Sequence, residues 1–566
     1  MTSALALALR LGAAARHTRF QHATERPDAA QAAALGRLLA RNRDTAFGRA
    51  HGFRTIGSPA EYAGRVPIRD YEGFRPWVAR ILAGEPRILT ADTPSAFATT
   101  SGTTGQPKLI PVTPAWETEQ AGLMRVWTHA ALGAHARCFD HAVLTLVSPA
   151  VESRTPDGRP VGALSGMVYQ RLPWLLRRQH AVPYAAHLIP DHDLRYFVIM
   201  RLGLGRPVST IATPNATSLI RLADVAARHS EAIVRAVRDG TLGIPRELEP
   251  ALDRVGAQTL DAIRRRLSPD PRRARVLERA AGASGSLTPA ACWPELGLIA
   301  CWLGGTAGQH ARRLRDHYGD VPLRDLGLSA SEGRMTVPLE DGTPAGALAV
   351  DTGFFEFIPE ARIGDSAPPV RLAHELDDGA RYYVLLSGAN GLYRYDINDV
   401  VEVRGFHGHT PRIAFVRKGR DVVSITGEKL HLNHLQAAVA EAEDETKLSV
   451  WQFRFIPDVD GWRYDVLVEL SGGGGEAGAV PAFVRAIDAA LRRLNCEYAA
   501  KRASGRLRPP RLWLMQPGWA ERQCRADIRD GKRDAQHKWP AIRLEWDEGS
   551  RAEVLACVAE GGSGDA

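Results

Sequence analysis

Short apolar runs alternate with amphipathic segments along most of the chain, and this alternation predicts its secondary structure. Residues 218–237 carry apolar side chains at three- and four-residue spacing, which is typical of a helix, and residues 244–280 are helical in pattern and rich in arginine. Buried strands are predicted from the apolar runs at 141–148, 298–303, 347–357, 381–387, 400–404 and 412–416. Strands that alternate with helices indicate an α/β fold in which helices flank the sheets.

A short charged segment divides this pattern into two parts. The sequence Arg-Lys-Gly-Arg-Asp at 417–421 lies between two apolar strands, and we interpret it as a domain boundary. Beyond it, the pattern predicts a small α+β domain with one helix and two strands, at 433–443, 451–456 and 462–470. We therefore expect a large N-terminal domain at 1–417 and a small C-terminal domain at 418–566.

Length and composition agree with a large enzyme that is neither secreted nor inserted in a membrane. The chain has 566 residues, of which 45% are hydrophobic and 24% are charged, and single cores stop growing near about 250–300 residues. No apolar run approaches the roughly 18 residues that span a bilayer. Residues 4–15 predict an N-terminal helix rather than the signal peptide of an exported precursor, because Arg10 interrupts them. The six cysteines form no Cys-x-x-Cys pair, which fits a reducing cytoplasm.

A net charge of +8 and a sequence pI near 9.3 raise the question of nucleic-acid binding. The arginine runs at 264–266 and 272–275 are interleaved with acidic residues at helical spacing, so they are better explained as solvated helix faces. No zinc-finger, RNA-recognition or helix-turn-helix signature accompanies them. We expect no nucleic-acid partner.

One segment, residues 98–113, concentrates the chemistry of an anion site. Backbone N–H groups at glycines, hydroxyls and an ammonium are the donors that a triphosphate needs, and here they are Gly102, Gly105, Ser101, Thr103, Thr104 and Lys108. The spacing Gly-x-x-Gly-x-x-Lys differs from the Walker loop. Pro107 and Pro111 bracket the lysine and predict a loop between two strands of a hairpin. An ordinary Ser/Thr/Gly turn has the same composition, so this segment alone leaves both interpretations open.

This loop resembles the phosphate loop of the acyl-adenylate-forming superfamily. Other blocks resemble one branch of it, the acyl-acid amido synthetases, which comprise the auxin-responsive Gretchen Hagen family of plants and its bacterial relatives. These blocks follow in the family's order and separation, as Asn42-Arg-Asp-Thr-Ala-Phe-Gly-Arg-Ala-His-Gly-Phe53, Val66-Pro-Ile68, Tyr71, Trp302-Leu-Gly-Gly305, Leu328-Ser-Ala-Ser-Glu-Gly333 and Gly391-Leu-Tyr-Arg-Tyr-Asp-Ile-Asn-Asp-Val400. The resemblance implies a large adenylate-forming domain with helix-flanked sheets and a β-barrel-like part, followed by a small mobile α+β domain.

The resemblance also implies roles for acidic residues. Ser331 and Glu332 take the place of the family residues that meet the nucleotide, and Glu332 that of the acid that meets magnesium. A carboxylate beside a phosphate loop would repel ATP unless a cation lay between them, so Mg²⁺ agrees with the charges. Asp399 resembles the acid that accepts hydrogen bonds from the two ribose hydroxyls. The family has Arg-x-Gly-Asp before valine where this chain has Asp396-Ile-Asn398-Asp399, so Asp396 remains an alternative.

Further candidates lie near the strand ends and near the C-terminus. Gly304 and Gly305 would let an adenine ring or an acyl group approach the backbone, although a plain strand-ending turn is an alternative. Gln536-His-Lys538-Trp-Pro540 resembles the family's Gln-x-Lys-x-Pro, whose lysine belongs to the mobile domain. A compact ammonium suits charge that develops between a carboxylate and the α-phosphate. Arg417 completes the predicted nucleotide-binding set, and the predicted catalytic residues are Lys538, Lys108 and Glu332.

Together these residues predict an ATP-dependent acyl-acid amido synthetase in the cytoplasm. The enzyme would join a small carboxylic acid to AMP with release of pyrophosphate, then transfer the acyl group to an amine, expected to be that of an amino acid. Two alternatives stay open. An acyl-coenzyme A ligase would perform the same adenylation with a thiol acceptor, and a non-catalytic protein would only bind a nucleotide or an acid.

Overall fold

The computed structural model describes residues 4–99, 108–365, 367–419, 422–423, 425–426, 428, 430–471, 479–529 and 539–559. The chain divides into two compact units, Met1–Val416 and Arg417–Ala566. None of the helices in the described ranges is long and apolar enough to cross a bilayer.

The first unit mixes helices with several sheets. Its helices, α1 to α16 in chain order, are Ala4–Thr24, Pro27–Asn42, Ala46–Ala50, Pro59–Arg65, Tyr71–Leu82, Pro114–Ala134, Leu164–Arg171, Trp174–Gln179, His192–Leu204, Ala216–Arg228, Ser230–Asp239, Ala257–Arg264, Pro271–Ser284, Pro289–Cys292, Gly305–Arg312 and Leu314–Tyr318. Short 3₁₀ turns lie at Phe53–Thr55, Tyr184–Leu188, Arg246–Arg254, Glu360–Arg362 and Ala373–Glu375.

The strands of this unit build three larger sheets and one hairpin. Strands β1 to β17 are Ala96–Thr99, Leu109–Val112, Ala142–Thr145, Ser153–Arg154, Pro160–Gly162, Val208–Ala212, Leu298–Ala300, Leu323–Arg324, Ser329–Ala330, Gly333–Arg334, Thr336–Val337, Gly346–Leu348, Phe354–Pro359, Arg371–Leu372, Arg381–Ser387, Tyr395–His407 and Thr410–Lys418. The sheet orders are β2-β1-β5-β4, β3-β6-β7-β8 and β11-β12-β17-β16-β15-β13-β14, and β9 pairs with β10.

The sheet β3-β6-β7-β8 is parallel throughout, so the carboxyl ends of its strands lie at one edge. The loop that leaves β7 at this edge contains Gly304 and Gly305, and the segment after β8 contains Asp325. Crevices at the carboxyl edge of parallel sheets are the usual ligand sites of α/β folds. Two of the sequence candidates therefore lie where the topology favours a site.

The large antiparallel sheet carries an irregularity in β16. Tyr383 of β15 pairs with Val400, and Leu385 pairs with Asp396. Between these two pairs β15 has one residue and β16 has three, so β16 bulges at residues 397–399. Bulges often re-aim side chains beside functional sites. The bulge falls within the segment that carries the predicted ribose-binding acid.

Two of the family-like blocks meet in the core of the first unit. The Phe47 ring stacks on the Tyr393 ring with centroids 4.7 Å apart, and the Phe53 ring meets Tyr393 edge-on at 5.1 Å. A Cβ at Gly48 would lie 2.1 Å from the carbonyl oxygen of Asn42, so no larger residue fits there. The N-terminal block therefore packs against the block at 391–400 through Tyr393.

The second unit is a smaller α+β structure. Its helices α17 to α21 are Leu432–Thr446, Ala479–Leu494, Cys496–Ala503, Trp519–Arg529 and Glu548–Arg551, and its strands β18 to β23 are Val422–Val423, Leu430–His431, Val450–Asp458, Arg463–Leu470, Arg511–Met515 and Val554–Ala559. The main sheet has the order β20-β21-β22-β23. Its core packs α17 and α18 against this sheet through apolar side chains such as Leu435, Val439, Phe483, Ile487 and Phe455.

Most sequence-predicted elements are confirmed, including the N-terminal helix, the hairpin of β1 and β2, and the helix and strands of the second unit. The single helix predicted at 218–237 is wrong, because it is two helices, α10 and α11, separated at His229. At the break, the Ser230 hydroxyl donates to the carbonyls of Ala226 and Ala227.

Two further predictions need correction. The strand predicted at 347–357 is interrupted by a turn, and the Thr352 N–H donates to the Ala349 carbonyl there, so that β12 and β13 are separate. The helical stretch predicted at 244–280 is broken into a 3₁₀ turn, α12 and α13. Proline and glycine between these pieces, at Gly256 and Pro269, explain the breaks.

Candidate active site

The phosphate-loop candidate spans the tip of the β1–β2 hairpin. Thr99 pairs with Leu109 across the hairpin, which places the two ends of the loop side by side. The predicted residues Ser101, Gly102, Thr103, Thr104 and Gly105 lie outside the described residues. Lys108, immediately before β2, is described and is half-buried.

Tyr71 fixes the backbone next to Lys108. Its hydroxyl accepts a hydrogen bond from the Leu109 N–H at 2.7 Å and donates to the Leu109 carbonyl at 3.1 Å. The side chain is set by the start of α5, where Asp70 caps the helix through the N–H groups of Glu72 and Gly73. The Lys108 ammonium lies 5.8 Å from the centre of the Tyr71 ring, within the range of a cation–π contact.

Glu332 lies in the turn between β9 and β10, next to buried Ser331. Its carbonyl accepts hydrogen bonds from the Trp116 indole at 3.1 Å and from the Asn390 amide at 2.8 Å. The Gln120 amide oxygen accepts from the Arg334 N–H at 2.8 Å, one residue beyond the turn. Helix α6, which starts directly after β2, therefore holds this turn at two points.

A tyrosine joins the two predicted charges. The Tyr395 hydroxyl donates to Oε1 of Glu332 at 3.1 Å and accepts a longer hydrogen bond of 3.4 Å from Nζ of Lys108. Both Tyr395 and Glu332 are buried, with exposed fractions of 0% and 5%. Burial, followed by the negative charge of Glu332, raises the pKa of Tyr395 far above its ordinary value, so its hydroxyl stays neutral.

The bulge of β16 separates the two acids that compete for the ribose role. Asn398 adopts a φ of 58°, a left-handed conformation in which asparagine is the best substitute for glycine. This explains why the chain has Asn398 where the family pattern has glycine. Oδ1 of Asp396 accepts a hydrogen bond from the Asn398 N–H at 2.7 Å and so shapes the bulge. Asp399 is buried at its far end.

Gly304 and Gly305 begin helix α15 after the parallel strand β7. Gly305 has a φ of 57°, and a Cβ there would lie 3.1 Å from the Phe415 ring. A Cβ at Gly304 would lie 3.2 Å from the Phe415 carbonyl oxygen. The positive φ of Gly305 and the close approach of β17 to both glycines favour small residues here, and an additional role in admitting a ligand remains a prediction.

Asp325 is a residue of this region that sequence reasoning missed. One carboxylate oxygen accepts from the Leu303 N–H at 2.6 Å and the other from the Gly327 N–H at 2.6 Å. It therefore connects the loop before Gly304 to the segment that leads to Glu332. Burial raises its pKa to about 6, although these two N–H groups act in the opposite direction. The strand that precedes it, β8 at Leu323–Arg324, was not predicted either, so no signal in the sequence indicated this position.

The remaining candidates lie in the second unit. Arg417 is buried, and its Nη1 donates to the carbonyls of Lys418 at 3.1 Å and Gly419 at 3.2 Å. It thus stabilises its own turn, and a nucleotide contact remains a prediction. Lys538 lies outside the described residues.

The residues present suit a magnesium ion bound together with a nucleotide. In the described ranges, no group of three or more acidic, histidine or cysteine side chains is arranged to hold a metal by itself. Magnesium in nucleotide enzymes is usually held by one or two carboxylates and by substrate phosphates. Only one oxygen of Glu332 is used by Tyr395, which leaves the carboxylate suited to this task.

Comparisons with known proteins agree with the motifs. Models of the GH3 family match in chain order: the N-terminal domain over residues 16–323, the central domain over 346–418 and the C-terminal domain over 433–545. A probable indole-3-acetic acid-amido synthetase, GH3.12 of Oryza sativa subsp. japonica, is 25% identical over 92% of this chain and 92% of its own length. A jasmonoyl–L-amino acid synthetase of the same rice, GH3.5, is 26% identical over 81% and 82%.

Solved structures show the fold. A GH3.15 acyl acid amido synthetase superposes with a TM-score of 0.82 at 21% identity and covers 94% of this chain and 95% of its own. A 2-hydroxyisobutyryl-CoA ligase in the postadenylation state gives 0.51 at 12% identity, covering 93% and 90%. These likenesses confirm the predicted α/β class with a large N-terminal and a smaller C-terminal domain. With its three domain models matched in order over most of its length, the chain belongs to the GH3 family, as its motifs predicted.

Proposed function

We propose that this protein is an ATP-dependent acyl-acid amido synthetase. The observation that carries the proposal is the Lys108–Tyr395–Glu332 cluster, which lies at the end of the candidate phosphate loop in a chain of the GH3 family. The names of two relatives, a probable indole-3-acetic acid-amido synthetase and a jasmonoyl–L-amino acid synthetase, support the same activity.

In the first half-reaction, the carboxylate of the acid attacks the α-phosphorus of ATP and pyrophosphate leaves. Both reactants are anions, so neutralising charge is expected to be the largest catalytic contribution and positioning the next. Lys108 would meet the leaving phosphates, and this role is supported by its position directly after the loop and by its contacts with the Tyr71 ring and the Tyr395 hydroxyl. Mg²⁺ bound by Glu332 and the phosphates would neutralise further charge.

Asp399 is the better candidate for the ribose hydroxyls. Asp396 already accepts the Asn398 N–H and stabilises the bulge, whereas Asp399 lies at the end of the bulge next to Val400, as in the family pattern. A carboxylate offers acceptors for two hydroxyl donors. Asp396 therefore has a structural explanation that leaves the ribose role to Asp399.

In the second half-reaction, an amine attacks the acyl carbon and releases AMP. An amino acid is the proposed acceptor, on the strength of the relatives' names. The fold is compatible with either an amine or a thiol as the acceptor, because a coenzyme A ligase has the same fold. Lys538 as the residue that assists adenylation, rotation of the second unit about 417–421 and a cytoplasmic location remain predictions from sequence.

The test begins with a panel of carboxylic acids assayed for acid-dependent exchange of labelled pyrophosphate into ATP. Acids that support exchange are then incubated with ATP and either amino acids or coenzyme A, and the products are identified by mass spectrometry. We expect exchange and an amide. Exchange followed only by a thioester would overturn the acceptor assignment, and nucleotide binding without exchange for any acid would favour the non-catalytic alternative.

A further inference from the structure

We propose that Tyr395 is a positioning residue whose neutral hydroxyl keeps Lys108 and Glu332 from pairing with each other before the nucleotide binds. This inference rests on the proposed function, because it concerns the readiness of the same site for MgATP. Tyr395 belongs to the family-like block at 391–400 but was not among the predicted site residues.

The first support is the hydrogen-bond pattern. A tyrosine hydroxyl has one proton to donate and lone pairs to accept. Here the proton goes to Oε1 of Glu332, and a lone pair receives Nζ of Lys108. Each charge therefore contacts the same neutral oxygen. Among the described residues, neither Lys108 nor Glu332 makes an ion pair within 4.0 Å, although both lie beside the same hydroxyl oxygen, at 3.4 and 3.1 Å.

The second support is the rigidity of the tyrosine. Tyr395 is fully buried at the first position of β16, and its ring meets the Phe74 ring edge-on at 5.9 Å. The next residue is held to the N-terminal region, because the Asp396 N–H donates to the Arg69 carbonyl at 2.8 Å. Burial of the ring and this backbone hydrogen bond restrict the hydroxyl to its place beside the two charges.

The third support is how the lysine is held. Nζ of Lys108 lies 5.8 Å from the centre of the Tyr71 ring, whereas it meets Tyr395 at the hydroxyl, 3.4 Å away, and not at the ring face. Aromatic faces attract an ammonium without neutralising it. The lysine is therefore positioned by groups that carry no charge, and its full positive charge remains for an incoming phosphate.

The consequence concerns affinity. In a partly buried site, a Lys108–Glu332 ion pair would be strong, and MgATP would have to break it before using either charge. Apparent affinity falls in proportion to the fraction of molecules in the competent state. A neutral spacer keeps this fraction high. Removing only the hydroxyl should lower affinity for MgATP by allowing the two charges to pair.

The test is the substitution Tyr395→Phe, with the dissociation constant of MgATP measured by calorimetry so that turnover is not needed. We expect binding to weaken about tenfold, equivalent to about 1.4 kcal/mol. Tyr62→Phe is the matched control, because Tyr62 is equally buried and its hydroxyl bonds to the Ser387 hydroxyl at 2.9 Å rather than to Lys108 or Glu332. The control should lose stability to a similar degree and keep its affinity.

A double-mutant cycle separates the spacer from a merely structural tyrosine. In a Lys108→Met or a Glu332→Gln background no ion pair can form, so Tyr395→Phe should change the dissociation constant less than about twofold. The same tenfold loss in all backgrounds, or no loss in the wild-type background, would overturn the inference while leaving the proposed function intact. A wild-type protein that binds no MgATP would overturn the proposed function itself.

Discussion

Arg394 and Tyr395 are neighbours in sequence, yet they serve opposite electrostatic arrangements. The Arg394 guanidinium lies within 2.9 Å of Oε2 of Glu356 and donates to the carbonyls of Ala63 and Val66, both at 2.8 Å. Both members of this ion pair are almost fully buried, with exposed fractions of 5% and 2% for their side chains. The guanidinium of Arg394 and the carboxylate of Glu356 are therefore paired with each other, and two backbone carbonyls accept further hydrogen bonds from the guanidinium.

Tyr395, one residue later, connects charges that are not paired with each other. Lys108 and Glu332 meet its neutral hydroxyl, and the carbonyl of Glu332, rather than its carboxylate, receives Trp116 and Asn390. The backbone of the turn is fixed while its charge is left for a ligand. The two neighbours thus differ in that Arg394 belongs to a buried ion pair, whereas Tyr395 contacts two charges that we propose to act on a nucleotide.

The largest expected effect concerns the buried ion pair between Arg394 and Glu356. Glu356→Ala should lower the free energy of unfolding of the first unit by about 3–5 kcal/mol, because Arg394 would keep a buried and unpaired charge. Urea denaturation measures this change. The more exposed pair between Arg381 and Glu402 is the control, and Glu402→Ala should lower the free energy by less than about 1 kcal/mol. Equal losses would contradict the distinction.

The next effect concerns Lys108, which contacts the neutral hydroxyl of Tyr395. Lys108→Ala should raise the KM for MgATP about ten- to a hundredfold, because a charge-assisted contact is worth about 1.5–3 kcal/mol, while stability barely changes. Lys538→Ala should instead slow adenylation and leave MgATP binding largely intact. Steady-state kinetics and calorimetry distinguish the two. Equal losses of MgATP binding in both variants would contradict their separate roles.

A smaller effect separates the two acids of the bulge. Asp399→Asn should raise the KM for ATP about tenfold through one lost hydrogen bond to a charged acceptor. Asp396→Asn should raise it less than about threefold, because an asparagine oxygen still accepts the Asn398 N–H. If Asp396→Asn has the larger effect, the ribose assignment moves to Asp396.

The smallest effect tests the bulge geometry. Asn398→Ala should lower the free energy of unfolding by about 1 kcal/mol, because alanine is strained at a positive φ. Asn398→Gly should restore both stability and the KM for ATP, since glycine adopts this conformation freely. Thermal denaturation provides the comparison. An alanine variant as stable as the wild type would show that the left-handed conformation is not required.

Local signals predicted much of this molecule. The β1–β2 hairpin was predicted from two apolar stretches around a loop in which Pro107 and Pro111 bracket Lys108. Helices α5 and α6 were not predicted, although they begin where Asp70 and Thr113 offer capping oxygens. The helix predicted at 218–237 was wrong because apolar spacing does not reveal the break at His229.

The candidate site was predicted in part. Lys108, Glu332 and Asp399 were found through motifs, and the first two proved to share one hydroxyl. Tyr395 and Asp325 were missed because nothing in the local sequence indicates which residues their side chains contact in the fold. Tyr395 contacts Lys108 and Glu332, and Asp325 contacts the Leu303 N–H, all of them distant in sequence. The reason why this chain has Asn398 where the family pattern has glycine became clear only from the positive φ of Asn398 in the structure.

The most direct test of the account is the rate of acid-dependent pyrophosphate exchange in wild type and Glu332→Gln, at saturating magnesium. The account predicts exchange by the wild type with at least one acid, a rate at least about a hundredfold lower in Glu332→Gln, and no loss in the exposed control Glu340→Gln. Equal rates in all three proteins, or a wild type that exchanges with no acid, would contradict the claim that the open charges beside Tyr395 serve adenylation.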